Sequence, residues 1–337
     1  MKNIEKIFLF IGVLQNIYVT SLDYSYNKRK IFDVVKIIQE ASAMKRISLI
    51  STLLLMFLVS FFSGAAESET FEITYATQSQ IELKADVIVP QGEGPFPIVV
   101  AFHGGGFVRG EKEDISRQCN YISKNGYVVF NANYRTVSQG AHFPGFVKDA
   151  HSAVLWIKKH AKEYKGNPDQ IALTGFSAGA YIASITAVTP HISVLHHKDP
   201  RFEDMSSEVQ AVIPFYGHQN LNILDEVQIK TATFVYGKDI SHNKKLLNLG
   251  SPVYHIGHAV PTLLFHNEID PLVPVEQSRS MYSIYKDKNL PVYFYEFPRN
   301  AHDLLRPDED WALGVTIKFL DKYLKRMPGI EMPESIP

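Results

Sequence analysis

The chain has 337 residues, of which 45% are hydrophobic and 20% are charged, as in globular proteins and unlike disordered, collagen-like or coiled-coil chains. Its 34 basic and 35 acidic side chains give a net charge of −1, so charge offers no reason to expect a nucleic-acid partner. The single cysteine, Cys119, excludes an internal disulfide and a metal site built on paired cysteines.

A segment near the N-terminus has the anatomy of a secretory signal peptide. It begins at Met44 with two basic residues, continues through the uncharged apolar residues 47–62, and ends in the small residues 63–66. The apolar run is shorter than the roughly 20 residues that a membrane-spanning helix needs. We therefore predict export to the periplasm or the medium. If the apolar run were retained, it would instead anchor the protein in a membrane.

This segment also predicts the domain organisation. Because a signal peptide begins a protein, translation is expected to start at Met44. Residues 1–43 are then an upstream extension outside the fold, from an over-extended reading frame, although a true N-terminal extension is the alternative. The prediction is an extension at 1–43, a signal peptide at 44–66 and a catalytic domain at 67–337.

Beyond residue 70, the apolar pattern alternates between strands and helices. Strands are predicted at 71–76, 81–89, 98–102, 127–130, 171–174, 209–215, 261–266 and 292–297, and helices at 146–164, 178–188, 276–288 and 310–325. This order predicts an α/β fold with a mostly parallel central sheet, an N-terminal antiparallel hairpin and helices on both faces. Residues 217–257 fit the alternation poorly and are predicted to form a small insertion beside the carboxyl edge of the sheet.

Two glycine-rich motifs follow predicted strands. Residues 175–179 read Gly-Phe-Ser-Ala-Gly between a strand and a helix, which is typical of a nucleophile elbow that presents Ser177. Residues 103–106 read His-Gly-Gly-Gly, and such a loop can aim backbone N–H groups at a developing oxyanion. The structural alternatives are a chance glycine-rich turn and a flexible loop.

A nucleophilic serine needs a base that is held by an acid, and with an elbow the chain order is serine, acid, histidine. Asp270 and His302 lie in the loops after two consecutive predicted strands, at the edge where Ser177 lies. Glu268 is a competing acid and Asp303 a weaker one. The histidines at 191, 196 and 197 are expected to be solvated or bonded to partners, and no metal-binding motif is present.

Together, these motifs resemble the serine esterases of the α/β-hydrolase superfamily, closest to bacterial feruloyl and acetyl-xylan esterases and hormone-sensitive-lipase-like carboxylesterases. The matching segments lie between about residues 71 and 325, at 101–112, 133–135, 143–161, 175–179, 209–217, 251–256 and 265–274. The resemblance implies that Ser177 is the nucleophile, Asp270 the acid and His302 the base. It also implies that the amides of Gly105, Gly106 and Ala178 form the oxyanion hole and that His103 braces the glycine loop. Asn267 and Asp303 stand where the family usually has glycine, which puts substrate details in doubt.

The resemblance implies a serine hydrolase that cleaves short-chain carboxylic esters through an acyl-enzyme, and the signal-peptide segment predicts that this hydrolase is exported. The expected substrates are esters of small molecules or polysaccharides, including acetyl and feruloyl esters. No cofactor, metal or nucleic acid is expected, and a membrane is expected only if the apolar segment is retained. The alternatives are an amidase, formamidase or peptidase of the same fold, or a non-catalytic binding protein.

Overall fold

The computed structural model describes residues 68–337 of the chain. The predicted extension at 1–43 and the predicted signal peptide at 44–66 lie outside these described residues. Within residues 68–337, no helix has both the length and the apolar character needed to cross a membrane.

Among the described residues, eight strands form one sheet. They are β1 (Glu69–Gln78), β2 (Ile81–Val89), β3 (Phe96–Phe102), β4 (Val128–Ala132), β5 (Gly166–Phe176), β6 (Ala211–Phe215), β7 (Thr262–Asn267) and β8 (Val292–Phe297). Their order across the sheet is β1-β2-β4-β3-β5-β6-β7-β8. The pairs β1–β2 and β2–β4 are antiparallel and all the others are parallel. The predicted fold class is therefore confirmed.

Within residues 68–337, seven α-helices lie between these strands or after the last one. They are α1 (Ser116–Lys124), α2 (Gly145–His160), α3 (Ala178–Val188), α4 (Glu226–Tyr236), α5 (Lys244–Leu249), α6 (Glu276–Asp287) and α7 (Asp308–Tyr323). The helix predicted at 146–164 ends earlier, because its last turn tightens into a 3₁₀ turn at Ala161–Tyr164 and Lys165 then adopts a left-handed φ of 55°.

The core forms two layers because successive residues of a strand point to opposite faces of the sheet. Along β3, Ile98 and Val100 pack in one layer with α2 and α3. Val99 and Ala101 pack in the other layer with α1 and α7. Helices therefore cover both faces of the sheet, which explains why the parallel strands are apolar without alternation.

The stretch at 217–257, predicted to be a small insertion, contains the helices α4 and α5. Periodicity did not reveal α4 because only Val235 and Tyr236, in its last turn, are buried. A local signal for its start was present in the sequence. Asp225 and Gln228 form a capping box, in which the Asp225 side chain accepts from the Gln228 amide at 2.8 Å and the Gln228 side chain accepts from the Asp225 amide at 3.1 Å.

Candidate active site

Ser177 occupies the sharp turn between β5 and α3. Its backbone has a φ of 53° and a ψ of −116°, a strained conformation for a residue with a side chain. A Cβ atom added at Gly179 would overlap the backbone carbonyl groups of Phe102 and His103, so the start of α3 packs against the end of β3 only with glycine there. The turn holds Ser177 at the N-terminal end of α3, where the helix dipole favours negative charge.

A chain of two short hydrogen bonds joins three side chains from different loops. His302 Nε2 lies 2.7 Å from Ser177 Oγ, and His302 Nδ1 lies 2.7 Å from Asp270 Oδ2. Because an ionised carboxylate only accepts hydrogen bonds, Nδ1–H must be the donor to Asp270. The neutral ring then has a free lone pair on Nε2, which accepts from the Ser177 hydroxyl. His302 is therefore held in the tautomer of a general base.

Asp270 is held as a carboxylate by its surroundings. Burial alone would favour its neutral form. Hydrogen bonds from His266 and His302 and from the backbone amides of Leu272 and Val273 outweigh burial and keep its pKa well below the ordinary range. The two amides donate to Oδ1 at 2.8 and 2.9 Å, which leaves Oδ2 for His302.

The two competing acids occupy different positions. Glu268 has an exposed side chain, and its backbone amide donates to the carbonyl of Phe297. Asp303 is exposed and lines the cleft near Tyr216, whose pKa is raised by burial and, more weakly, by Asp303. Of the three acids considered, Asp270 is the one within hydrogen-bond distance of His302.

The residues predicted to form the oxyanion hole lie beside Ser177. Gly105, Gly106 and Ala178 all line the same cleft as the serine. Gly105 has a φ of +111°, and a Cβ atom added there would overlap the carbonyl oxygen of Arg109, so the loop requires glycine at this position. As the first residue of α3, Ala178 contributes an amide N–H that has no partner within the helix.

The base of the glycine loop is held by the fully buried His103. Its Nδ1–H donates to the carbonyl oxygen of Gly104 at 2.7 Å, and its ring stacks on Tyr134 at 4.4 Å between centroids. Tyr134 Oη donates in turn to the carbonyl oxygen of His103 at 3.0 Å. Burial lowers the pKa of His103, so the ring stays neutral while it supports the loop.

The cleft around Ser177 has a volume of about 1060 Å³. Many of its lining side chains are apolar and come from the glycine loop, α3 and the α4 region, namely Phe107, Tyr181, Leu221, Leu224, Val227, Ala232, Val235 and Tyr236. Polar side chains also line it, among them Asp114, Gln118, Tyr216, Asp225, Gln228, Thr231, Asp303 and Glu309. The cleft therefore offers both apolar and polar contacts around the serine.

Three residues at this site were not identified from the sequence. Tyr216 follows β6 with a φ of +46°, and its ring lies edge-on to His302 at 4.9 Å between centroids. His218 lines the cleft, and burial together with the nearby His266 and His302 lowers its pKa to about 4, so it is neutral there. His266 Nε2 lies 3.3 Å from Asp270 Oδ2. Tyr216 and His266 lie within the matching segments 209–217 and 265–274, but no role could be assigned to them from the sequence, because their roles arise from contacts between segments that are distant in the chain.

Residues 85–285 match the model of the BD-FAE family. The chain belongs to the BD-FAE family. The resemblance to α/β-hydrolase esterases that the sequence motifs carry is thereby confirmed.

Two curated relatives are named as ester hydrolases. "Probable carboxylic ester hydrolase LipM" of Mycobacterium tuberculosis is 30% identical over 226 residues, which cover 63% of this chain and 51% of LipM. "Esterase LipQ" of the same organism is 28% identical over 212 residues, covering 61% of this chain and 49% of LipQ. The chain thus spans about half the length of the curated relatives it matches.

Solved structures share the fold seen here. The native form of the thermophilic esterase Est2 of Thermogutta terrifontis has a TM-score of 0.64 and 25% identity, covering 80% of this chain and 95% of that chain. A bifunctional GH43-CE protein of Bacteroides eggerthii has a TM-score of 0.67 and 22% identity, covering 75% of this chain and 38% of that chain. The second similarity bears on the fold alone.

The three histidines at 191, 196 and 197 of this BD-FAE chain contact ordinary protein partners. His191 Nε2 lies 2.8 Å from Glu208, His197 Nε2 lies 2.9 Å from Asp149, and the ring of His196 stacks on His151 at 3.9 Å between centroids. Within residues 68–337, no three His, Cys, Asp or Glu side chains are arranged to hold a metal ion.

Proposed function

We propose that the chain is an exported serine hydrolase that cleaves short-chain carboxylic esters through an acyl-enzyme. The observation that carries the proposal is the hydrogen-bonded chain from Ser177 through His302 to Asp270, with both bonds at 2.7 Å. Membership of the BD-FAE family and the relatives named as ester hydrolases support an ester as the substrate.

In the first half of the reaction, Ser177 Oγ attacks the acyl carbon and His302 Nε2 takes the hydroxyl proton. The ester carbonyl oxygen becomes an oxyanion, which the amides of Gly105, Gly106 and Ala178 stabilise. The bond to the alcohol oxygen then breaks. The imidazolium returns its proton to that oxygen, so the alcohol leaves and an acyl-Ser177 ester remains.

In the second half, water replaces the alcohol and His302 takes its proton as the hydroxyl attacks the acyl carbon. The tetrahedral intermediate forms at the same amides. Its collapse breaks the bond to Ser177 Oγ and returns the proton to the serine. Asp270 remains ionised throughout and stabilises the imidazolium. The mechanism consumes one water molecule per ester and uses no cofactor.

The shape of the cleft supports a short acyl group. Tyr181 and Tyr236 line the cleft but are only 2% and 4% exposed, and their hydroxyl oxygens lie 3.3 Å apart. Their large rings form part of the cleft lining, which favours a short acyl group over a long chain. The cleft remains open toward solvent, so the alcohol part can belong to a small molecule or, for acetyl or feruloyl esters, to a polysaccharide. The proposed export rests on the signal-peptide anatomy of residues 44–66, with a membrane anchor as the alternative.

The test is labelling with a fluorophosphonate, which reacts with activated serines, together with hydrolysis of p-nitrophenyl esters from acetate to palmitate. Ser177→Ala should lose labelling and nearly all hydrolysis. Ser116→Ala is a matched control, because Ser116 is also a half-buried serine at the start of a helix but contacts no imidazole. Unchanged p-nitrophenyl acetate hydrolysis by Ser177→Ala would refute the proposal, and faster cleavage of p-nitroanilides than of esters would assign an amidase.

A further inference from the structure

Two consecutive residues at the end of β7 reach the two loops that carry Asp270 and His302. His266 contacts the Asp270 loop, and Asn267 contacts the His302 loop. Successive side chains of a strand point to opposite faces, so one strand end can hold both loops at once. Asn267 is only 1% exposed and does not line the cleft.

The Asn267 side chain forms a hydrogen bond on each side of His302. Its Nδ2 lies 2.9 Å from the carbonyl oxygen of Ala301 and 3.1 Å from that of Asp303. Both partners are carbonyl oxygens, which only accept, so the atom between them must be the NH₂ group, and both of its hydrogens are used. His302 is therefore linked to β7 by hydrogen bonds to the residues before and after it, Ala301 and Asp303.

The two bonds from Nδ2 are the hydrogen bonds that hold this side chain. The other polar atom of the amide, Asn267 Oδ1, is buried and accepts no hydrogen bond from the described residues. The side chain is therefore oriented by its two bonds to the backbone of the His302 loop.

His266 completes the arrangement on the opposite face. Its Nε2–H donates to the carbonyl oxygen of Val273 at 2.8 Å and lies 3.3 Å from Asp270 Oδ2. Because a carbonyl oxygen only accepts, Nε2 carries the proton, and Nδ1 then accepts from Ser278 Oγ at 2.8 Å. The loop of Asp270 and the loop of His302 are therefore each held by one of two adjacent residues of β7. The backbone of β7 thereby sets the separation of Asp270 and His302.

We propose that Asn267 is a positioning residue of the active site, which holds the loop of His302 at the distance from Ser177 and Asp270 that proton transfer requires. The proposal rests on the proposed function, because positioning matters only if His302 is the base. A displacement of about 1 Å in a reacting group lowers rates by as much as about 10²-fold.

The test compares Asn267→Ala, which removes both hydrogen bonds, with Asn267→Asp, which keeps the shape but replaces the donor by an acceptor. We expect kcat for p-nitrophenyl acetate to fall about 10- to 100-fold in both variants while KM changes little, because Asn267 does not touch the cleft. A role in packing alone would lower the melting temperature of both variants and leave kcat of the folded enzyme unchanged. A role in substrate binding would raise KM.

Gln170→Ala is the matched control. Like Asn267, Gln170 joins two distant parts of the chain through its side-chain amide, since its Nε2 donates to the backbone carbonyl oxygen of Leu324 at 2.7 Å. Unlike Asn267, it lies toward the amino end of β5, away from the site. Its loss should lower the melting temperature without changing kcat.

A second measurement needs no turnover. The His302 Nδ1–H proton bonded to Asp270 should give a low-field proton NMR signal that is lost in Asp270→Asn. The signal should weaken in Asn267→Ala and persist in Gln170→Ala. Wild-type kcat and an unchanged signal in Asn267→Ala would overturn the positioning role. Full activity of Ser177→Ala would instead overturn the proposed function, so the two failures are distinguishable.

Discussion

Replacing Asp270 by asparagine removes the charge and changes which tautomer of His302 is stable. In the wild type, Oδ1 accepts from two backbone amides, and Oδ2 accepts from His302 Nδ1. Asparagine has a single acceptor oxygen, and the amides of Leu272 and Val273 retain it. Its NH₂ group then faces His302 Nδ1, which must accept. The proton moves to Nε2, and the ring can no longer accept from Ser177.

Because the resting enzyme then lacks its base, we expect kcat to fall about 10⁴-fold, as for the corresponding substitution in other triads. At 1.36 kcal/mol per tenfold change in rate, this is about 5.4 kcal/mol of lost transition-state stabilisation. The fold should persist, since asparagine has the same shape and keeps the bonds to both amides. Circular dichroism would check this.

The assay is steady-state hydrolysis of p-nitrophenyl acetate, with Glu268→Gln as the matched control. Glu268 lies two residues away with an exposed side chain, so its neutralisation should leave most of the activity. Activity of Asp270→Asn near that of wild type would refute the reasoning. Greater impairment in Glu268→Gln than in Asp270→Asn would transfer the role of the acid to Glu268.

The remaining predictions concern pH, the glycine loop and the N-terminus. For pH, kcat/KM should fall as the pH drops from about 8 to about 5, because an imidazolium cannot accept the Ser177 proton; a profile flat over this range argues against a histidine base. The pKa of Asp270 is held below its ordinary value of 3.8, and the pKa of His218 is lowered to about 4. Both values lie below this pH range, so neither group accounts for the fall in kcat/KM. The ionised Asp270 contributes stability that is present above its unfolded pKa and lost only as the pH falls through the lower folded value. For the glycine loop, Gly105→Ala should lower kcat by at least about 10²-fold, since the added Cβ overlaps Arg109 and displaces an oxyanion donor. Gly140→Ala, also at a positive φ of +82° but with open space around its Cβ, is the control that should retain activity. For the N-terminus, Edman sequencing of the native protein should find a chain that begins near Glu67. A first residue upstream of Met44 rejects the predicted start, and an intact apolar segment in the membrane fraction replaces export with anchoring.

The fold could be predicted from the sequence because its determinants are local or periodic. Continuous apolar runs predicted the parallel strands, and a helical period predicted the helices on both faces. The strand–turn–helix around Ser177 was recognisable because the strained turn and the close approach of Gly179 to β3 require glycines at fixed spacing. Helix α4 could not be predicted from periodicity, since a helix that buries only its last turn has no apolar period.

The sequence by itself determined the fold class, the nucleophile motif and the residue types of the candidate site. The tertiary structure decided which of the neighbouring acids lies within hydrogen-bond distance of His302, because Asp270 and Glu268 share one loop and only its path through space separates them. It also decided what Asn267 does. In the sequence, Asn267 only stands where the family usually has glycine, a departure that bears on substrate details. In the fold, its side-chain amide donates hydrogen bonds to the backbone on both sides of His302. The physical reason is that Asn267 lies 34 and 36 positions from its two hydrogen-bond partners in the sequence. Such bonds depend on where two strands end in space, and no local sequence pattern contains that information.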